Sequence, residues 1–258
     1  MTKQQVALIT GAGQGIGKSI AERLSHDGFA VALLGRHLDK VQAVAKEIKN
    51  NGGDSFAIKA DVSKRDEVFN AVKETQDHFG DFNVLVNNAG VAPTDPIENV
   101  TPNELESTFQ INVGGVIWGT QAAIKAFKLL NHGGKIINGS SQAGQEGNPN
   151  LTVYGATKFA IRGITQTTSK ELAEDNITVN AYCPGIVKTP MMDDIAKNVA
   201  KNAGKSEEWG MQQFAKSISL GRLSNPSDVS NLVSFLASKD SNYITGQSIL
   251  VDGGMVYR

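Results

Sequence analysis

Seven short apolar runs, separated by longer and mostly amphipathic stretches, constrain what this chain can fold into more than any other feature. The runs are VALIT (6–10), AVALL (30–34), SFAIKA (55–60), NVLVNN (83–88), KIINGSS (135–141), ITVNAYC (177–183) and QSILVD (247–252). They are compact, rich in β-branched residues and apolar on both faces. A strand with one wet face alternates apolar with polar residues, so runs of this kind predict strands covered on both sides. Helical patterns lie between them at about 15–27, 38–50, 64–79, 102–131, 154–175 and 227–237. Ser63 followed by Asp66 and Glu67, and Thr101 followed by Pro102, are the expected helix starts, an N-cap and then an acid or proline in the first turn. Strict β–α alternation predicts a doubly wound α/β fold, a parallel sheet with helices on both faces. An eight-fold barrel would need an eighth strand. No linker of biased composition divides the chain, so residues 1–258 are read as a single domain.

Composition narrows the function classes. With 40% hydrophobic and 20% charged residues, the chain can bury a full core, which excludes disorder. Lys and Arg number 25 against 26 Asp and Glu, without a block of like charge, so neither nucleic acid nor an anionic membrane is expected as the main partner. One cysteine cannot form an internal disulfide, and four scattered histidines leave a zinc site without ligands, so no metal is expected. No apolar run approaches the ~20 residues that cross a bilayer. The N-terminus carries no secretory pattern, and a cytoplasmic location is expected.

The first strand runs directly into Thr10-Gly11-Ala12-Gly13-Gln14-Gly15-Ile16-Gly17 and then a helix. Glycines are needed where the chain turns tightly and where backbone must approach a pyrophosphate with no Cβ between. The helix N-terminus offers unpaired N–H groups and partial positive charge to the phosphates. Gly11, Gln14, Gly15, Ile16 and Gly17 are therefore candidate cofactor contacts. A dinucleotide fold that takes NAD usually carries an acid ~20 residues after the glycines. At that place this chain has Gly35, Arg36 and His37, with no carboxylate before Asp39. Arginine can pair bidentately with a 2′-phosphate, which favours NADP(H). NAD(H) stays open, with Arg36 then a solvated loop charge.

Tyr154 and Lys158 stand four residues apart on one helix face, and Ser141 closes the fifth apolar run. Reduction of a carbonyl by hydride needs a proton on oxygen and a donor to hold that oxygen. A phenol with a pKa of ~10 is a weak acid–base catalyst at neutral pH, and a nearby ammonium favours the phenolate. Ser141 can hold the same oxygen. The segment 186–220 has no strand and is too long for an ordinary connection. It carries Met191, Met192, Trp209, Met211 and Phe214, and is read as a substrate lid or, alternatively, a helical excursion that only packs on the core. Cys183 reads as a packing residue, and the histidines are assigned no chemistry, although His37 lies toward the adenosine.

Taken together these motifs resemble the single-domain short-chain dehydrogenases/reductases, end to end. The matching residues are TGAGQGIG (10–17), Asp61-Val62, NNAG (87–90), Asn112, Ser141, Tyr154, Lys158 and Pro184-Gly185. The resemblance implies a Rossmann-type sheet, with Tyr154 as general acid/base and Lys158 also on the nicotinamide ribose. It implies Ser141 as the substrate-orienting group and Asn112 as holder of a relay water. It further implies Asp61 and Val62 at the adenine, Asn88, Ala89 and Gly90 along the cofactor, and Pro184, Gly185, Val187 and Thr189 toward the nicotinamide. A homotetramer pairing helices 102–131 and 154–175 is implied too, with a C-terminal GGMVYR tail able to reach a neighbour.

A finer similarity, in AGQGIGK, NNAGVAP, GVIWGTQAA, HGGKIIN, CPGIVKTPM and TGQSILVDGGM, is to the bacterial diacetyl (acetoin) reductases and 2,3-butanediol dehydrogenases. It implies hydride transfer to a small vicinal diketone or hydroxyketone, usually from NADH, from which Gly35-Arg36 departs. Gln142 is then either a second polar contact for substrate or a loop-bonding residue, and Asn148, before Pro149, shapes a turn. Two other functions stay open. A 3-oxoacyl-carrier-protein reductase would need a basic docking patch, for which Lys125, Lys128 and Arg162 are the candidates. A non-catalytic dinucleotide sensor would have no need of the full Ser–Tyr–Lys set.

Overall fold

All seven expected strands form. They are β1 (Val6–Thr10), β2 (Ala30–Gly35), β3 (Ser55–Lys59), β4 (Val84–Asn87), β5 (Gly134–Gly139), β6 (Ile177–Pro184) and β7 (Ser248–Val251). The computed structural model describes residues 4–190 and 217–257, and between them residues 192, 193, 196, 197, 200, 204–206 and 209. The strands make one parallel sheet in the order β3-β2-β1-β4-β5-β6-β7. Strand order reverses between β1 and β4, and it is outside the carboxyl ends at such a switch point that ligands bind in open α/β sheets.

Helices cover both faces, which is why the strands are apolar on both sides. Ala7 and Ile9 of β1 pack toward α1 (Gly15–His26), α2 (Leu38–Asn50) and α7 (Pro226–Ala237), through Ile20, Leu24, Val41, Ile48, Val229 and Val233. Leu8, between them, faces the other layer with α3 (Arg65–Phe79) and α5 (Gly115–Leu129), through Val68, Val72, Ala123 and Phe127. In register, Leu8 stands beside Ala32 of β2 and Leu85 of β4, both in that second layer. Fully burying a Leu or Phe side chain stabilises by ~1.5–3 kcal/mol.

Several boundaries differ from expectation for local reasons. The predicted helix over 102–131 is three pieces: α4 (Pro102–Phe109), a π-helical turn (Gln110–Gly114) and α5. Thr101 caps α4 as expected, accepting from Glu104 N at 3.2 Å with Pro102 in the first turn. Ser63 caps nothing. The helix starts at Arg65 with Lys64 at the N-cap, and the Ser63 hydroxyl instead donates to Asp61 Oδ1 at 2.8 Å. α6 spans Thr152–Glu171, starting and ending earlier than the predicted 154–175. β5 ends at Gly139 rather than at Ser141, which caps a short 3-10 turn, Gln142–Gly144.

The tail folds back on its own chain. Leu220 N donates to Gly253 O at 3.0 Å, and Ser219 Oγ to Gly254 O at 2.7 Å. The Asp252 carboxylate accepts from Gly254 N and Val256 N at 3.0 and 2.8 Å, fixing the turn that carries Met255.

Candidate active site

A cavity of about 490 Å³ opens at the carboxyl ends of the sheet, across the β1/β4 switch point. All the sequence-predicted site residues line it except Asn112.

The glycine-rich turn is shaped by contacts that only glycine tolerates. Gly11 has a left-handed φ of 67°, and a Cβ there would lie 2.9 Å from Ala89 Cα. A Cβ on Gly17 would lie 2.3 Å from the Gly11 carbonyl oxygen. α1 then starts at Gly15 with no side-chain cap from Gln14, so its first N–H groups are available to an anion. Backbone this bare, facing a cavity at a helix N-terminus, fits a pyrophosphate.

At the adenosine end, Arg36 is exposed, lines the cavity, and has no carboxylate within salt-bridge range among the described residues. Lys40 joins it there, its Nζ donating to Gln14 Oε1 at 3.1 Å. Lys18 does not line the cavity; it is held at 2.5 Å by Glu47 and 3.6 Å by Glu22. Asp61 is the one cavity-lining carboxylate among the described residues, and its Oδ1 accepts from both N and Oγ of Ser63. His37 lines this end as well.

At the reacting end, the loop after β5 is fastened to α6 around Lys158. Ser140 Oγ and Arg162 Nη1 donate to the carbonyls of Lys158 and Gly144 at 3.0 and 2.7 Å. A Cβ at Gly144 would lie 2.7 Å from the Lys158 carbonyl oxygen. This packing places Ser141 and Tyr154 on the same cavity wall, with Ser141 Oγ accepting from Ala143 N at 3.1 Å. Lys158 Nζ is buried, donates to Gly139 O at 2.7 Å, and sits 5.4 Å from the centre of the Tyr154 ring. Burial pushes the phenol up, and the nearby Ser141 hydroxyl pulls it part of the way back. The expected lowering by the lysine is not what dominates here, because Lys158 is itself desolvated and brought down to about 8.

Gln142 and Asn148 form a reciprocal amide pair. Gln142 Nε2 donates to Asn148 Oδ1 at 3.4 Å, and Asn148 Nδ2 to Gln142 Oε1 at 3.3 Å. Both line the cavity, and Asn148 also bonds within its loop, its Nδ2 donating to Glu146 O at 3.2 Å. Asn112 lies one layer behind. Its amide donates to Val91 O and Thr157 Oγ1 at 2.9 and 3.0 Å and accepts from Val91 N at 2.9 Å, joining the cavity wall to α6. Sequence reasoning missed Leu151, Tyr182 and Met255, which also line the cavity. For Tyr182, a polar hydroxyl in a strand buried on both faces was the available signal. Met192, named as part of the lid, is buried and packs with Ile186, Ile218, Leu223 and Met255. Met191, Met211 and Phe214 lie outside the described residues.

The family model described as short chain dehydrogenase matches residues 5–200. The chain belongs to that family. Membership makes it an oxidoreductase that uses a nicotinamide dinucleotide. A diacetyl reductase, (S)-acetoin forming, from Staphylococcus aureus is 57% identical over 258 residues and covers 100% of both chains. An L-2,3-butanediol dehydrogenase from Corynebacterium glutamicum is 44% identical, covering 98% of this chain and 99% of its own. Among solved structures, an actinorhodin polyketide ketoreductase with NADPH superposes with a TM-score of 0.95 at 30% identity, covering 99% of this chain and 98% of its own.

Proposed function

We propose that this dehydrogenase reduces small vicinal diketones and hydroxyketones, diacetyl to (S)-acetoin and acetoin to 2,3-butanediol, reversibly and with NADP(H) as the favoured carrier. The observation that carries the reading is the placement of two polar sets in one cavity. The Ser141–Tyr154 pair suits one carbonyl oxygen, and the Gln142–Asn148 amides suit an adjacent second oxygen. The full-length similarity to a diacetyl reductase and a butanediol dehydrogenase supports the same substrates and the same product face.

When bound, the reduced nicotinamide supplies the hydride. Tyr154 gives its proton to the carbonyl oxygen; burial keeps the phenol protonated, the state that reduction requires. The Ser141 hydroxyl stabilises the alkoxide as it develops. Lys158 supplies positive charge beside the phenol as the proton leaves, and would hold the nicotinamide ribose. Asn112 keeps Val91 and the helix carrying Tyr154 in register, and its Oδ1 retains one lone pair for a relay water. Arg36 with Lys40 would hold a 2′-phosphate. The segment 186–220, part of which lies outside the described residues, would serve as the substrate lid, with Met192 packed against Ile218 and Met255.

Exposed Leu105, Leu129 and Phe159 on α4, α5 and α6 support a homotetramer built on those helices. Among the described residues no helix is long and apolar enough to cross a membrane. The docking patch of a carrier-protein reductase finds little support. Lys128 is paired with Asp175 at 3.1 Å, and Arg162 turns inward to Gly144 O.

The test is the rate of NADPH and NADH oxidation with diacetyl, acetoin and a 3-oxoacyl thioester, with chiral chromatography of the acetoin. Diacetyl should turn over fastest. A faster thioester would replace the reading with the carrier-protein one, and no turnover with any of the three would favour a sensor.

A further inference from the structure

One cavity-lining phenol has no part in the proton transfer. Tyr182 lies in β6, opposite Gly139 of β5 in the parallel register, and is only 2% exposed. Its side chain reaches across β5 because Gly139 has no side chain. A Cβ there would lie 2.8 Å from the Tyr182 hydroxyl and 3.1 Å from its Cζ. The hydroxyl donates to Asn88 Oδ1 at 2.9 Å, just beyond β4. The Asn88 amide in turn donates to Thr10 O at 2.9 Å and Gly11 O at 3.3 Å, the two carbonyls that open the glycine-rich turn. Asn88 N and Ala89 N donate to Thr10 Oγ1, each at 2.9 Å. A line of hydrogen bonds thus runs from β6 through β4 to the end of β1, and its last link is the phosphate cradle.

The cradle has no slack around that link. A Cβ on Gly17 would lie 2.5 Å from Asn88 Nδ2, so the amide is packed directly against the first turn of α1. Rotation of the Asn88 side chain would press on that turn or release the Gly11 carbonyl, and either would disturb the N–H groups aimed at the pyrophosphate. The Tyr182 hydroxyl is the group that sets the rotation, since Asn88 Oδ1 has no other partner among the bonds described here.

We propose that Tyr182 is a positioning residue for the dinucleotide. Its hydroxyl fixes the Asn88 amide, the amide fixes the carbonyls of the glycine-rich turn, and the turn presents its N–H groups to the phosphates. Tyr182 does not exchange a proton in the reaction. Burial, with the Tyr154 phenol and Cys183 thiol nearby, pushes its own pKa far up and keeps it a neutral donor. The proposal rests on the cavity's being a dinucleotide site and not on which carbonyl is reduced, so its outcome is separable from the substrate assignment.

The experiment is Tyr182→Phe in the full chain, with NADPH and NADH each titrated by their own fluorescence. The dissociation constant of the better cofactor should rise about tenfold, equivalent to about 1.4 kcal/mol. The rate at saturating cofactor should change less than about threefold and its pH profile should keep its shape, because Tyr154, Ser141 and Lys158 are intact. Asn88→Ala should weaken binding by a similar factor, and the double variant should lose little more than either single one, since both act through one link. The rise in melting temperature produced by cofactor is measured alongside, so that a general loss of stability is not mistaken for a loss of affinity. Unchanged affinity in Tyr182→Phe, fully additive losses in the double variant, or a shifted pH profile at saturating cofactor would each overturn the proposal.

Discussion

The proposed preference for NADP(H) is best tested at four cavity-lining residues, Gly35, Arg36, Lys40 and Val41. Arg36 is exposed and has no salt bridge among the described residues, while Lys40 is half-committed to Gln14. A charge-assisted hydrogen bond contributes ~1.5–3 kcal/mol, and for an exposed arginine the lower end applies. Arg36→Ala should therefore lower kcat/KM with NADPH by about tenfold and leave NADH nearly unchanged. Adding Lys40→Ala should extend the loss by a further few-fold. Conversion to an NADH enzyme needs a carboxylate at position 35, and here the packing matters. A Cβ on Gly35 would lie 2.9 Å from Val41 Cγ1, and Val41 is fully buried with the stiff χ1 of a β-branched residue. Gly35→Asp alone should carry an overpacking cost of ~1–3 kcal/mol, whereas Val41→Ala removes the obstructing methyl. The triple variant Gly35→Asp, Arg36→Ala, Val41→Ala should fold more stably than the first two changes alone and should prefer NADH. Its NADPH-to-NADH ratio should fall on the order of 10²–10³. The assay is the initial rate of reduced-cofactor oxidation with saturating diacetyl. It is repeated at ~0.01 M and ~1 M salt, where the Debye length shrinks from ~30 to ~3 Å and the NADPH preference should shrink with it. A wild type that prefers NADH, or an Arg36→Ala ratio within twofold of wild type, would refute the reasoning and turn Arg36 back into a solvated charge.

Tyr154→Phe should leave cofactor affinity nearly unchanged and cut turnover by ~10²–10⁴, read from single-turnover rates beside a fluorescence titration. Lys158→Met should weaken cofactor binding and turnover together. It should also alter stability against pH: the buried ammonium has a folded pKa of about 8 against an ordinary 10.5, so the unfolded chain binds more protons between those values. Wild-type apo stability contributed by this group therefore rises from about pH 8 to about pH 10.5, and denaturant titrations of Lys158→Met should lack that rise. Gln142→Ala and Asn148→Ala should each raise the KM for diacetyl several-fold, with the double variant far from additive because each amide is the other's partner.

The sequence made legible whatever depends on neighbours along the chain. The seven strands were readable because both-face burial writes itself as unbroken β-branched runs. The glycine-rich turn was readable because its residue type is dictated by backbone approach. The break at Gln110–Gly114 was not, since QINVG continues a helical pattern and the π turn accompanies long-range bonds from Asn112 to Val91 and Thr157. Lys18 and Lys40 are equivalent as letters, and only Glu47 and Glu22 on one side and Gln14 on the other sort them. Ser63 looked like a cap because it precedes two acids, yet the Asp61 carboxylate two residues earlier takes its hydroxyl. The pairing of Gln142 with Asn148 depends on the path of a loop, and the reach of Tyr182 to Asn88 on a glycine in the next strand. Neither has a periodic signature.

The cavity joins the beginning of the chain to its end: Gly11–Gly17 follow the first strand, and Met255 follows the last. A ribosome delivers these halves in order. A nascent chain carries the glycine-rich turn, the tyrosine and the lysine while β7 and the wall made by Met255 are still unsynthesised, so the cavity is complete only once the last strand has been made. The same geometry separates the two places where a fusion partner can be attached. In a parallel sheet the start of β1 lies at the opposite rim from the cavity, so cargo joined ahead of residue 4 hangs far from the chemistry. Cargo joined after residue 257 hangs two residues from Met255, which lines the cavity.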